Sequence, residues 1–172
     1  MIGQLRGLLL SKKPNLLLVD VHGVGYEITI PLTSFYELPD EGCEISLRIY
    51  THVREDSLML FGFRSQKEKD FFLKLISISG VGPKLAITIL SGARVEDLAQ
   101  ALVEGNLARL TAIPGVGRKT AERLVLELKN QIGAFASPEI TEEKSPKSAT
   151  GMLEDDILSA LTNLGYPRQA AE

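Results

Sequence analysis

One nine-residue pattern occurs twice in this chain and limits its fold more than any other feature. Ile78-Ser-Gly80-Val-Gly82-Pro-Lys84-Leu-Ala86 returns as Ile113-Pro-Gly115-Val-Gly117-Arg-Lys119-Thr-Ala121. The offset of 35 residues carries isoleucine, both glycines, valine, lysine and alanine onto their counterparts. Each copy follows a segment of helical periodicity and opens another, so the pattern marks a turn between two helices, used twice.

Such a turn has a chemistry. Gly80, Gly82, Gly115 and Gly117 permit backbone torsions closed to other residues and place no side chain in the way of a ligand. Main-chain N–H groups there stand at the start of the next helix, where unpaired donors and a dipole end of roughly +0.5 charge favour an anion. Lys84 and Lys119, with Arg118 beside the second and Arg123 one turn further on, add full positive charge. Val81 and Val116, between the glycines, are expected to pack the turn onto its own helices. Nothing in the pattern reaches base edges, so on a nucleic acid a phosphate grip of this kind would be sequence-independent. The competing view of a single Gly-x-Gly is a tight interhelical turn without a ligand; the duplication, with lysine at the same place in both copies, favours phosphate. A dinucleotide site would need a third glycine, and the chain has no Gly-x4-Gly-Lys-Ser/Thr loop.

The net charge of −3 looks wrong for a phosphate binder until the chain is divided. Residues 1–63 carry −3, residues 64–133 carry +4 and residues 134–172 carry −4. The local field decides what an anion meets, and the repeat lies in the basic middle.

That division coincides with changes in pattern. Residues 1–63 hold strand-like runs, among them Leu16–Asp20, Tyr26–Ile30 and Glu44–Tyr50, separated by turn chemistry at Lys13-Pro-Asn15, His22-Gly-Val-Gly25 and Pro39-Asp-Glu-Gly42. About five short strands in this length imply a small barrel; an OB-like one is the natural candidate, and periodicity does not separate it from an SH3-like one. From Ser65 the period becomes helical, with apolar sets Phe72/Leu75/Ile76, Leu85/Ile89/Leu90, Leu98/Leu102, Leu107/Leu110 and Ala121/Leu124/Val125/Leu128. The domain over 64–133 is therefore a bundle of short helices. Residues 134–151 are polar and rich in Ser and Pro, which makes them a flexible linker. Residues 152–172 contain one amphipathic helix ended by Gly165 and the start of another, too little to bury its own apolar face.

Taken together, the chain is expected to be α+β: barrel, double hairpin domain, linker and a small helical piece. The apolar fraction of 44% is that of a globular protein, and no run approaches the ~20 apolar residues of a membrane span. The N-terminus lacks the pattern of a signal peptide, and Cys43 alone forms neither a disulfide nor a cysteine-rich metal site. A cytosolic location follows as an expectation.

The paired turns are similar to those of the helix-hairpin-helix family. The order of segments resembles the RuvA family, the Holliday-junction-binding subunits of a branch-migration complex. Met1-Ile-Gly-Gln-Leu-Arg-Gly7, Val53-Arg-Glu-Asp-Ser57, Phe61-Gly-Phe63 and both hairpins carry that resemblance. It implies a tetramer, or two facing tetramers, holding a four-way DNA junction on a basic face, without cofactor or metal. It implies as partners a RuvB-type hexameric ATPase as separate motor and a RuvC-type resolvase, in bacterial recombination, repair and the SOS response. Glu55 and Asp56 fall where the family carries an acidic pin; a solvated turn is the plain alternative for an exposed Glu-Asp. Leu161, Leu164 and Tyr166 match the motor-docking surface of the family's UBA-like third domain and would equally suit the core of that piece, which stops before its expected last helix.

An enzymatic alternative comes from the same hairpin. In base-excision glycosylases the lysine matching Lys119 attacks the sugar, which requires a partner acid and often an iron–sulfur cluster held by four cysteines. No aspartate stands between Val125 and Glu139. An accessory DNA-binding module of a nuclease or ligase is a further alternative, which predicts converging carboxylates or a metal cluster elsewhere. His22 and His52 sit in strand-like segments without ligand spacing.

Overall fold

A computed structural model describes residues 1–136. Residues 137–151 of the expected linker and the expected helical piece over 152–172, with Leu161, Leu164 and Tyr166, lie outside the described residues.

Five strands close a barrel in the order β1-β2-β3-β5-β4. They are β1 (Gln4–Lys13), β2 (Leu16–Val21), β3 (Val24–Thr29), β4 (Glu44–Arg54) and β5 (Ser57–Phe63), with a short helix α1 (Leu32–Glu37) between β3 and β4. Every pairing is antiparallel except β3 with β5, which runs parallel through Ile28–Leu60 and Thr29–Phe61. That one parallel junction, bridged by the α1 crossover, gives the barrel its OB-like order. Alternate residues point inward, so Leu9, Leu17, Val19, Ile28, Ile45, Leu47, Ile49 and Leu60 form its interior. His22 lies in the β2–β3 turn, not in a strand, with φ +52, and the Asp20 carboxylate accepts from the next N–H at 2.8 Å.

The second half of the last strand is buried on both faces, and Phe61-Gly62-Phe63 explains how. Gly62 faces the barrel interior, where a Cβ would stand 2.7 Å from the Ile28 side chain, so no larger residue fits. Phe61 and Phe63 point the other way, fully buried, and meet Phe72 with ring centroids 5.7 and 4.8 Å apart. Aromatic pairs at such distances contribute about 0.5–1.5 kcal/mol beyond the area they bury. This seam packs the outer face of β5 into the core of the helices, beside a separate core inside the barrel.

The helices are α2 (Gln66–Ile76), α3 (Pro83–Gly92), α4 (Val95–Glu104), α5 (Leu107–Thr111) and α6 (Arg118–Leu128). Ser65 opens α2 as a side-chain cap, its hydroxyl accepting from the Glu68 N–H at 3.1 Å. The Glu68 carboxylate turns back to accept from the Arg64 N–H at 2.9 Å and from the buried Ser34 hydroxyl of α1 at 3.1 Å. A capping interaction thus also ties the barrel's crossover helix to the bundle. Packed structure runs past α6: Ile132 is buried, and Phe135, in a 3-10 turn over Gly133–Ala136, sets its ring 5.5 Å from Phe71. No helix among the described residues is long and apolar enough to cross a membrane.

Candidate nucleic-acid interface

The two repeat copies fold alike. In the first, the Ile78 N–H donates to Leu75 at 3.2 Å, the Val81 N–H to Ile78 at 3.0 Å, and the Ala86 N–H to Gly82 at 3.0 Å. In the second, Ile113 donates to Leu110 at 3.2 Å, Val116 to Ile113 at 3.0 Å, and Ala121 to Gly117 at 2.9 Å. Gly80 and Gly115 have φ of +89 and +82, in the left-handed region that favours glycine. Gly82 and Gly117 begin the next helices with φ/ψ of −85/170 and −78/167. Both copies are helix-hairpin-helix elements, α2–α3 and α5–α6.

Burial separates the scaffold from the exposed donors. Ile78, Val81, Ile113 and Val116 are buried, while Gly80, Gly82, Gly115, Gly117, Lys84, Arg118 and Lys119 are exposed. Each turn is therefore anchored by its isoleucine and its central valine and presents glycine backbone to the outside. The first N–H to donate within α3 is that of Ala86, and within α6 that of Ala121. The donors ahead of them belong to the helix's unsatisfied first turn.

What those donors lack is instructive. At α2 and α5 a side chain fills the role, Ser65 in one case and Asn106 in the other. At α4, Glu96 and Asp97 bring negative charge into the first turn. At α3 and α6 the capping residue is glycine, no side chain caps it, and no acidic residue occupies the first turn. Both N-termini carry lysine there instead. Lys84 and Lys119 form no ion pair among the described residues, whereas Arg118 donates to Glu122 at 2.9 Å within its own helix. An anion at either turn would meet main-chain N–H groups, a helix dipole and an uncommitted ammonium group together.

The hairpins also touch each other. Arg123 Nη1 on α6 donates to the Ser79 carbonyl at 2.7 Å. Leu85 on α3 packs beside Gly115. Sequence reasoning placed Arg123 with the basic residues but had no means of finding its partner 44 positions away.

Glu55 and Asp56 form the two-residue connection of the β4–β5 hairpin, directly after the terminal pair Arg54–Ser57. Both are exposed, and neither is ion-paired among the described residues. The nearby Arg54 directs its Nε to His52 Nε2, 3.1 Å away. The tip is a compact negative projection from the barrel.

Two ion pairs elsewhere tie elements together. Lys67 of α2 holds Glu96 of α4 at 2.6 Å; burial works against the Glu96 charge, but that hydrogen bond and the neighbouring cations override it and lower its pKa below 4.5. Arg6 and Glu44 form a bidentate pair across β1 and β4 at 3.0 and 2.9 Å, which lowers the Glu44 pKa in the same direction. No group of three or more His, Cys, Asp or Glu suited to a metal occurs among the described residues.

Comparison with known proteins agrees with this geometry. The family "RuvA N terminal domain" matches residues 1–62, and "SAM-like Helix-hairpin-helix tandem" matches residues 72–130. Among similar proteins are three named Holliday junction branch migration complex subunit RuvA. The protein from Geobacter metallireducens is 53% identical over 166 residues, 96% of this chain and 83% of the relative. That from Solibacter usitatus is 51% identical over 174 residues, 100% of this chain and 86% of the relative. That from Syntrophus aciditrophicus is 45% identical over 175 residues, with the same coverage of 100% and 86%.

Proposed function

The chain belongs to the RuvA family, and from that premise we propose that it binds four-way (Holliday) DNA junctions by shape and backbone charge and presents them to a RuvB-type ATP-driven motor. The observation that carries this reading is the duplicated helix N-terminus: glycine in place of a side-chain cap, no acidic residue in the first turn, and an unpaired lysine, at both α3 and α6. Gly80, Val81, Gly82 and Lys84 form one phosphate grip, and Gly115, Val116, Gly117, Arg118 and Lys119 form the other. Arg123 belongs to the same basic surface. Two such grips related by the repeat suit two phosphate backbones, and neither offers a side chain placed for base readout.

The rest of the molecule serves assembly and control. The barrel over 1–63 supports a tetramer, on its own or facing a second one, and carries Glu55 and Asp56 to the junction centre as an acidic pin. Carboxylates there repel phosphates and discourage separated strands from pairing again. The domain over 64–133, with the packed turn Gly133–Ala136, holds DNA, the remainder of residues 134–151 acts as a tether, and residues 152–172 dock on the motor through Leu161, Leu164 and Tyr166. The chain supplies no chemistry of its own; ATP hydrolysis belongs to a separate motor chain, and a RuvC-type resolvase acts on the same junction in the bacterial cytoplasm. The glycosylase alternative loses ground because Lys119 is exposed and no carboxylate among the described residues is paired with it.

Salt tests the mechanism. Each phosphate neutralised contributes roughly −0.9 to the slope of log affinity against log salt, so a tetramer using all its hairpins loses affinity steeply between 50 and 200 mM salt, on the order of a thousandfold or more. A shallow slope, equivalent to one or two phosphates, would refute a multi-hairpin grip.

A further inference from the structure

The two hairpins brace each other, and the two braces differ. Arg123 stands on α6, the helix that the second hairpin opens, yet its Nη1 holds the Ser79 carbonyl of the first hairpin at 2.7 Å. The same nitrogen lies 3.8 Å from where a Cβ on Gly80 would stand. In the opposite direction, Leu85 on α3 places its Cδ1 3.2 Å from where a Cβ on Gly115 would stand. Each left-handed glycine is therefore faced by a side chain from the other hairpin's helix.

The repeat makes the asymmetry visible. Moving back by the repeat offset, Arg123 corresponds to Thr88, whose hydroxyl donates to the Lys84 carbonyl of its own helix at 3.1 Å. Moving forward, Ser79 corresponds to Pro114, and Leu85 to Thr120. The second turn is held by apolar packing and the first by a charged hydrogen bond.

We infer that Arg123 is a positioning residue: it sets the first phosphate-binding turn from the helix of the second, so that the two turns meet DNA as one unit. The inference rests on the reading of the hairpins as DNA grips. A hydrogen bond with a charged donor is roughly twice as strong as a neutral one. The Ser79 oxygen it holds shares a planar trans peptide with the Gly80 N–H, so fixing the oxygen also fixes the direction of that donor. From within, the two turns are closed alike, Val81 to Ile78 in the first and Val116 to Ile113 in the second, so the bond from Arg123 is what sets the first apart. The guanidinium is committed elsewhere too: its Nε lies 3.9 Å from Glu127, a loose pair on a half-exposed side chain.

The test uses the full chain with R123Q, K84Q and K119Q, the double variants R123Q/K84Q, R123Q/K119Q and K84Q/K119Q, and two readouts. Without DNA, amide shifts and hydrogen exchange are followed at Gly80–Gly82 and at Gly115–Gly117. With a synthetic four-way junction, affinity is measured for every variant. R123Q is expected to perturb and loosen Gly80–Gly82 while leaving Gly115–Gly117 unchanged, and to weaken junction binding about tenfold. Its effect should be less than multiplicative with K84Q, which acts through the same turn, and multiplicative with K119Q. If Gly80–Gly82 stay unchanged and R123Q multiplies with both lysine variants, Arg123 is a phosphate contact alone and the inference fails. Equal loosening of both turns overturns it as well, by showing a general loss of rigidity. If K84Q/K119Q leaves junction affinity untouched, the hairpin grip itself is wrong, while the DNA-free arm still decides the role of Arg123.

Discussion

Gly80 and Gly115 occupy the same left-handed backbone, φ +89 and +82, but they face different neighbours across the hairpin pair. A Cβ at Gly115 would press on Leu85 Cδ1 at 3.2 Å, whereas one at Gly80 would meet only the end of Arg123 at 3.8 Å. Alanine at either position carries a backbone strain of about 1–2 kcal/mol. G115A carries in addition the displacement of Leu85, a half-buried side chain packed against the core. Urea denaturation should therefore show G115A to be the more destabilised variant. A larger loss for G80A would contradict the packing described.

The acidic tip makes an opposite prediction for binding. Glu55 and Asp56 lie exposed and form no ion pair among the described residues, so replacing them costs the fold little. The double substitution E55Q/D56N is expected to preserve or raise affinity for DNA while lowering the preference for junction over duplex, measured by competition between the two. A marked fall in affinity would mean that these carboxylates help hold DNA, contrary to a pin.

Stability should depend on pH through Glu96. Its native pKa is lowered below 4.5 by Lys67 and nearby cations acting against burial. A lowered carboxylate pKa stabilises the fold above the unfolded value, and that contribution disappears as pH falls through the native value. The wild type should accordingly be more stable than E96Q at pH 7, and the difference should shrink below about pH 4. A difference that stays constant down to pH 3 would remove the ionic origin of the effect.

Which of these features could be read from the sequence follows from what a linear pattern encodes. The hairpins were legible because glycine, valine and lysine at fixed spacing specify torsion, burial and charge within a few residues. The strand-like runs revealed a small barrel, but period-2 alternation does not say which strand lies beside which. The parallel contact of Ile28 with Leu60 closes the barrel in OB-like order, and nothing local announces it. Helix α1 went unseen because six residues are too few for a helical period. The turn at His22-Gly-Val-Gly25 was legible from its glycines, but the positive φ of His22 itself is visible only in three dimensions. Phe135 read as linker because the polar stretch begins beside it, although its ring packs against Phe71. The cross-hairpin bond of Arg123 to Ser79 had no local signature at all.

The central claim is that two glycine-capped helix N-termini with Lys84 and Lys119 grip DNA backbones so as to favour a junction. The most direct measurement is a gel-shift competition between a synthetic four-way junction and linear duplex of the same sequence, using the wild type and K84E/K119E. The wild type should prefer the junction strongly, and the variant should lose affinity for all junction sequences alike. Equal affinity of the wild type for both substrates, or a loss confined to one base sequence, would contradict the account.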